Sequence, residues 1–237
     1  MPPHYTRGMT VRYALYAAPS PDSRLWHFGS SVIGYDAAAG RALPFPSHPP
    51  CAAADWADLT HDPRRYGFHG TLKAPFSLAA GMEEGDLLEA AMLFAERRQA
   101  FAVPALEVVL LGRFVALVPG VASPELTALA AGCVRDFDAF RAPLTEADRA
   151  RRLKAPLSDR QVAQLDAWGY PYVFEDFRFH MTLTGSLPEE RREAVRAGLA
   201  AAYKEVAAPL PIDGLCVFRQ KDRSARFEVL ARFAFDA

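Results

Sequence analysis

Two stretches, Tyr66-Gly67-Phe68-His69-Gly70-Thr71-Leu72-Lys73-Ala74-Pro75-Phe76 and Phe177-Arg178-Phe179-His180-Met181-Thr182-Leu183-Thr184-Gly185, decide how this chain is to be read. Each holds the tetrapeptide His-x-Thr-Leu, in an extended context rich in strand formers. On a strand, residues i and i+2 point to one face. His69 and Thr71, and likewise His180 and Thr182, therefore project together, while Phe68 or Phe179 and the leucines face the other way. One face is apolar and ready for burial; the other carries an imidazole and a hydroxyl.

Outward from each motif the same order of elements recurs. After His69, Met82 to Arg98 places Leu87, Leu88, Ala91, Met92 and Ala95 at helical spacing, with acidic residues in the first turn and Arg97 and Arg98 in the last. Strands are expected at Ala105 to Leu111 and Phe114 to Val118, then a helix from Ser123, its cap, to about Phe140. After His180 come a helix from Pro188 to about Tyr203 and strands at Ile212 to Arg219 and Arg226 to Phe235. A further strand, Arg12 to Ala18, opens the chain, and Pro21 onward reads as a short helix. Asp36 to Arg65 reads as a long loop with one helical turn around Trp56.

The repeated unit of strand, helix, strand, strand predicts an α+β domain of two lobes, with antiparallel-rich sheets lining a central cleft and helices outside. The expected division is a disordered N-terminal extension over 1–10, then a single bilobal domain over 11–237. Lobe one covers about 20–140, a polar connector 141–176, and lobe two about 177–237 together with the first strand, 11–18. Ser158 should cap a connector helix from Asp159 to Trp168.

Composition narrows the partners. The 237 residues are 51% hydrophobic, enough for a core, and their 27 basic and 28 acidic side chains leave a net charge of −1. No overall field draws in nucleic acid or an anionic membrane, so an anionic ligand must be held by a local site. Cys51, Cys133 and Cys216 are odd in number and widely spaced, which argues against a disulfide framework and for a reducing cytoplasm. No apolar segment is long enough to span a membrane. The run Asp148-Arg149-Ala150-Arg151-Arg152-Leu153-Lys154 is most simply a solvated helix face; a basic lid over an anionic ligand is its other reading.

The two motifs resemble the signature of the 2H (two-histidine) phosphoesterase superfamily, and their wider context is similar to its bacterial branch associated with phosphonate-degradation (carbon–phosphorus lyase) operons. The resemblance implies a duplicated bilobal fold and metal-independent opening of a small cyclic phosphate, with His69 and His180 as general base and acid and Thr71 and Thr182 binding phosphoryl oxygens. It implies no cofactor and no metal, and a small phosphorylated substrate, for which a ribosyl cyclic phosphate is the expectation. Strand geometry adds Lys73, at i+4 on the His69 face, as a phosphate contact, and Arg178, two residues before His180 on its face or at its rim, as a substrate-binding candidate. Tyr16 from the first strand and Tyr172 from the connector are the remaining candidates for substrate binding.

Other readings compete. A lone histidine on a half-buried strand is more often structural than catalytic; the matched pair reverses that balance. Two histidines can serve zinc, but neither motif supplies the nearby Cys or carboxylate such sites use. An RNA 2′,3′-cyclic phosphodiesterase or 2′,5′-ligase would need a basic, aromatic-lined channel, which near-zero net charge disfavours. A non-catalytic nucleotide or phosphosugar binder would keep the cleft without turnover. The sequence leaves oligomeric state open, as it does the assignment of acid and base to the two histidines.

Overall fold

A computed structural model describes residues 11–47, 49–51 and 53–236, so the extension expected over 1–10 lies outside the described residues. Strand β1 (Arg12–Ala17) leads to helix α1 (Arg24–Ile33). That helix begins later than Pro21 because Ser23 caps it, accepting a hydrogen bond from the Trp26 amide, and it ends at Gly34 in the left-handed conformation. The stretch read as a long loop holds a small ribbon, β2 (Tyr35–Asp36) with β3 (Arg41–Ala42), and two short helices, α2 (Ala53–Leu59) and α3 (His61–Arg64). Trp56, the expected helical turn, is fully buried and donates its indole N–H to the Val32 carbonyl at 2.9 Å.

Then come β4 (Gly70–Phe76), α4 (Glu84–Ala95), β5 (Phe101–Val103), β6 (Leu106–Leu111), β7 (Phe114–Pro119) and α5 (Pro124–Asp136). The expected run of α5 to Phe140 is broken after Asp136, and Asp138–Phe140 form a 3₁₀ turn. The connector contributes α6 (Glu146–Arg152) and α7 (Asp159–Trp168), the latter with the expected Ser158 cap completed by Gln161 as a capping box. The chain ends with β8 (Met181–Thr182), α8 (Arg192–Lys204), β9 (Leu210–Ile212), β10 (Gly214–Gln220) and β11 (Glu228–Ala234).

Seven strands form one antiparallel sheet in the order β11-β10-β1-β4-β8-β7-β6. The α+β class and antiparallel sheet are as expected, but the contiguous lobes are not. Helix α4 packs on β10 and β11, with its Glu84 holding Tyr13 of β1 at 2.9 Å and Arg219 of β10 at 3.1 Å. The hairpin that follows α4, β6–β7, crosses over to pair with β8, and α8 packs on it. The hairpin that follows α8, β10–β11, crosses back to β1. Each half of the sheet thus borrows its hairpin from the other half of the chain. This corrects the division into 20–140 and 177–237: the units repeat in sequence and are interleaved in space.

The halves meet where β4 and β8 touch through a single register pair, Gly70 with Met181. Met181 is fully buried, and a Cβ at Gly70 would run into the Phe179 ring, so glycine here lets the two motif strands close up. No helix among the described residues is long and apolar enough to cross a membrane.

Candidate functional site

The Gly70–Met181 pair sets the geometry of the site. In antiparallel register the residues on either side are opposed in turn, His69 to Thr182 and Thr71 to His180. Gly70 and Met181 face away, so all four predicted residues lie on one face, about 4.5–5.5 Å apart between cross-strand Cβ atoms. The cavities follow this pairing. One of about 280 Å³ is lined by His69, Thr182, Tyr66 and Phe114. Another, about 580 Å³, is lined by Thr71, His180, Tyr170, Tyr172, Arg178 and again Phe114. The largest cavity, about 820 Å³ between α4 and α5, contains neither histidine, and its Arg98 is taken up by Asp136 and the Phe94 carbonyl.

Both imidazoles are oriented in the same way. His69 Nδ1 lies 2.9 Å from the Gly67 carbonyl, and His180 Nδ1 lies 2.8 Å from the Arg178 carbonyl, in each case two residues upstream. A carbonyl can only accept, so each Nδ1 carries a proton and each Nε2 is left for chemistry. At His69 that Nε2 accepts from the Thr71 hydroxyl at 3.1 Å. The upstream carbonyl is aimed by Gly67, which sits at φ 79° with Ala37 so close that a Cβ would come within 2.6 Å of it.

Surroundings separate the two rings. Tyr16, buried in β1, stacks on His69 with ring centroids 3.6 Å apart and planes inclined by 17°. Phe218 and Tyr66 flank the same imidazole. Burial pulls the His69 pKa down from 6.5 to about 4; the Gly67 hydrogen bond works against that shift and the nearby His180 adds to it. His180 has Phe114 beside it at 5.8 Å, and its Nδ1 bond lies at the exposed surface.

The candidate binding residues divide. Tyr172 and Arg178 line the His180 cavity, with Tyr172 exposed and set edge-on to Tyr170. Tyr16 touches the site only through the ring of His69, and its own hydroxyl is pushed well above the ordinary tyrosine range, chiefly by burial. Lys73 is withdrawn. A register irregularity between Leu15 and Tyr16 opposite Lys73 and Thr71 breaks the strict alternation behind the i+4 reading. The lysine is 4% exposed, donating to the Val134 carbonyl at 3.0 Å and to Asp138 at 3.3 Å. Burial lowers its pKa, with Asp138 opposing the shift. Its expected place as a phosphate contact is therefore corrected.

Phe114 and Tyr66 were not among the predicted residues, although Tyr66 opens the first motif stretch. Arg152 comes from the run read as a solvated face: its guanidinium lies 4.9 Å over the Tyr170 ring, facing inward. Among the described residues, no three His, Cys, Asp or Glu side chains converge as a metal-binding group would.

A family model described as "Protein of unknown function (DUF1045)" matches residues 71–228. A protein of Janthinobacterium sp. (strain Marseille), described as ribose 1,5-bisphosphate phosphokinase PhnN, is 40% identical over 230 residues, covering 95% of this chain and 51% of that protein. Its namesake in Laribacter hongkongensis (strain HLHK9) is 37% identical over 92% of this chain and 50% of its own length. The chain thus spans about half the length of the curated relatives it matches. Among solved structures, E. coli LigT complexed with 3′-AMP aligns over 95% of this chain and 98% of that chain, at 14% identity and a TM-score of 0.46.

Proposed function

Because the chain belongs to a family described only as a protein of unknown function, DUF1045, its activity has to be read from its own cleft, and we propose that it is a phosphodiesterase that opens a small cyclic phosphate by two-histidine acid–base catalysis. The observation that carries this reading is the tautomer lock. Each imidazole donates its Nδ1–H to a carbonyl two residues upstream, so each Nε2 is the unprotonated nitrogen turned to the cleft, with a threonine of the other motif opposite each ring.

Held neutral by burial, His69 is the base: its Nε2 takes a proton from water as the water oxygen attacks phosphorus. As the ring P–O bond breaks, the departing oxygen takes a proton from Nε2 of His180, the second imidazole of the cleft, which enters the step as the acid. The product is a phosphomonoester beside a free hydroxyl. Solvent then returns a proton to His180 and removes one from His69. Thr71 and Thr182 donate to non-bridging phosphoryl oxygens, where charge builds as the bond to water forms. Thr71 must first release His69, so substrate binding and freeing of the base go together.

A ribosyl cyclic phosphate is the preferred substrate. The site takes one compact phosphoryl group between cross-strand pairs, and the curated relatives carry a name that concerns a phosphorylated ribose. Their kinase activity is not carried over: the name describes proteins about twice as long, and this chain holds no Gly-x-x-x-x-Gly-Lys-Ser/Thr run to cradle nucleotide phosphates. The test is hydrolysis of α-ribose 1,2-cyclic phosphate and of 2′,3′-cyclic nucleotides in the presence of a chelator, with products identified by phosphorus NMR. Ring opening that is lost in His69→Ala and in His180→Ala is expected. Binding without turnover would make the protein a phosphosugar binder, and turnover abolished by the chelator would hand the histidines to a metal.

A further inference from the structure

A second cavity of about 340 Å³ adjoins the His180 cavity, sharing Ala74, Val134, Tyr170 and Val173 with it. Its wall carries six cationic side chains, Arg12, Lys73, Arg141, Arg151, Arg152 and Arg223, against one acid, Asp148. Four of the six have carboxylate partners. Lys73 and Arg141 bind Asp138 at 3.3 and 2.8 Å, and Arg151 and Arg223 share Asp148, each at 2.8 Å.

Among the described residues, Arg12 and Arg152 have no carboxylate at ion-pair distance. Arg12 gives Nε and Nη2 to the neutral amide oxygen of Gln220, at 2.8 and 2.5 Å, which satisfies hydrogen bonds and leaves its charge uncompensated. Arg152 Nε is buried without a hydrogen-bond partner, and the guanidinium rests on Tyr170, the residue common to both cavities. Burial lowers the pKa of both arginines. A guanidinium at the last turn of a connector helix has solvent within easy reach. Turned inward and left unpaired, it costs free energy that an anion in the cavity would recover. Several guanidinium forks around one cavity suit a phosphate dianion, whose oxygens take paired N–H donors.

We propose that this cavity binds a phosphomonoester on the same substrate molecule whose cyclic phosphate lies between His69 and His180, with Arg152 and Arg12 pairing with its oxygens and Tyr170 standing between the two phosphates. The proposal rests on the phosphodiesterase reading for what occupies the histidine cleft, while the anion site can be measured without turnover. It also assigns the basic run of the connector to substrate recognition, its α6 forming one wall of the subsite.

The probe is ribose 5-phosphate, which carries a phosphomonoester and nothing to hydrolyse by ring opening, titrated calorimetrically into the parent protein and its variants. Binding is expected in the parent and in His69→Ala, weaker by about tenfold or more in Arg152→Ala and in Arg12→Ala, and partly restored in Arg152→Lys. In parallel, the ratio of kcat/KM for α-ribose 1,2-cyclic phosphate 5-phosphate over the same ester without the 5-phosphate is expected to be at least about tenfold in the parent and to fall toward one in Arg152→Ala. Equal affinities in parent and both arginine variants, no binding of ribose 5-phosphate at all, or a ratio near one in the parent would each overturn the proposal. Turnover of neither ester, with ribose 5-phosphate binding intact and sensitive to Arg152, would overturn the phosphodiesterase reading and leave the anion site standing.

Discussion

His69 and His180 sit in the same tetrapeptide, point the same nitrogen at the same relative carbonyl and face each other's threonine, yet they are not in the same place. One lies against Tyr16 with Phe218 and Tyr66 around it, and is held neutral down to about pH 4. The other has Phe114 beside it at 5.8 Å and a bond to the Arg178 carbonyl at the surface. The strands differ too: β4 runs for seven residues between two neighbours, β8 for two. A duplicated motif thus becomes a pair of unlike groups through what packs behind each ring. That asymmetry is what acid–base catalysis requires, since the two imidazoles must differ in protonation at one pH.

The largest effects should come from removing either ring. His69→Ala and His180→Ala are each expected to lower kcat by about 10²–10⁴-fold on a cyclic phosphate. The comparison breaks or holds on the leaving group. With p-nitrophenyl phosphodiesters, whose phenolate needs no proton, His180→Ala should regain most of its rate while His69→Ala should not. Rescue of His69→Ala instead would exchange the two roles.

Next in size is the pH dependence, which reads the burial of His69 directly. The acid limb of kcat/KM should fall near pH 4, because the neutral base is lost as pH drops through about 4. Tyr16→Leu admits water to the ring, so the limb should move up toward 6.5; an unmoved limb would remove Tyr16 from the account. Stability follows with a definite sign. The folded pKa lies below 6.5, so the unfolded chain binds the proton first as pH falls. The contribution is complete above about 6.5 and is lost between there and about 4. Urea unfolding at pH 7 and pH 4.5 should therefore differ less in His69→Gln than in the parent.

Much of this was legible in the sequence, and the boundary is instructive. The shared face of His and Thr follows from the period of a strand, and the caps at Ser123 and Ser158 from local chemistry, so both are as expected. The class of fold followed from counting elements. What could not be read is which strand each hairpin would join: β6–β7 and β10–β11 look alike as hairpins, and their exchange is decided by long-range contacts such as Glu84 with Tyr13 and Arg219. Arg152 shows the same limit from the other side. A charge run on a short helix looks solvated until one member is found turned over Tyr170.

A smaller effect separates the threonines. Thr71 holds His69 Nε2, whereas among the described residues no such bond joins Thr182 to His180. Thr182→Val should lose only a donor to the phosphoryl group, lowering kcat/KM by about tenfold. Thr71→Val loses the same donor but also frees the base before substrate arrives, so its loss should be the smaller of the two. Equal losses would mean that the Thr71–His69 bond has no bearing on binding.

The smallest catalytic effect is expected from Lys73, the residue that strand alternation placed in the site and the register irregularity of β1 and β4 took out of it. Its ammonium serves the Val134 carbonyl near the end of α5 and Asp138 just beyond, joining that helix to β4. In Lys73→Met the apolar stem is kept, and Asp138 retains Arg141 at 2.8 Å, so the carboxylate is not left bare. Loss of a charged hydrogen bond should then cost about 1–3 kcal/mol in urea unfolding. On a cyclic phosphate without a second phosphate, kcat for the folded fraction should match the parent. A fall in kcat comparable to that of the threonine variants, with stability unchanged, would return Lys73 to the cleft and show that the two motif strands are less alike in their downstream residues than in their histidines.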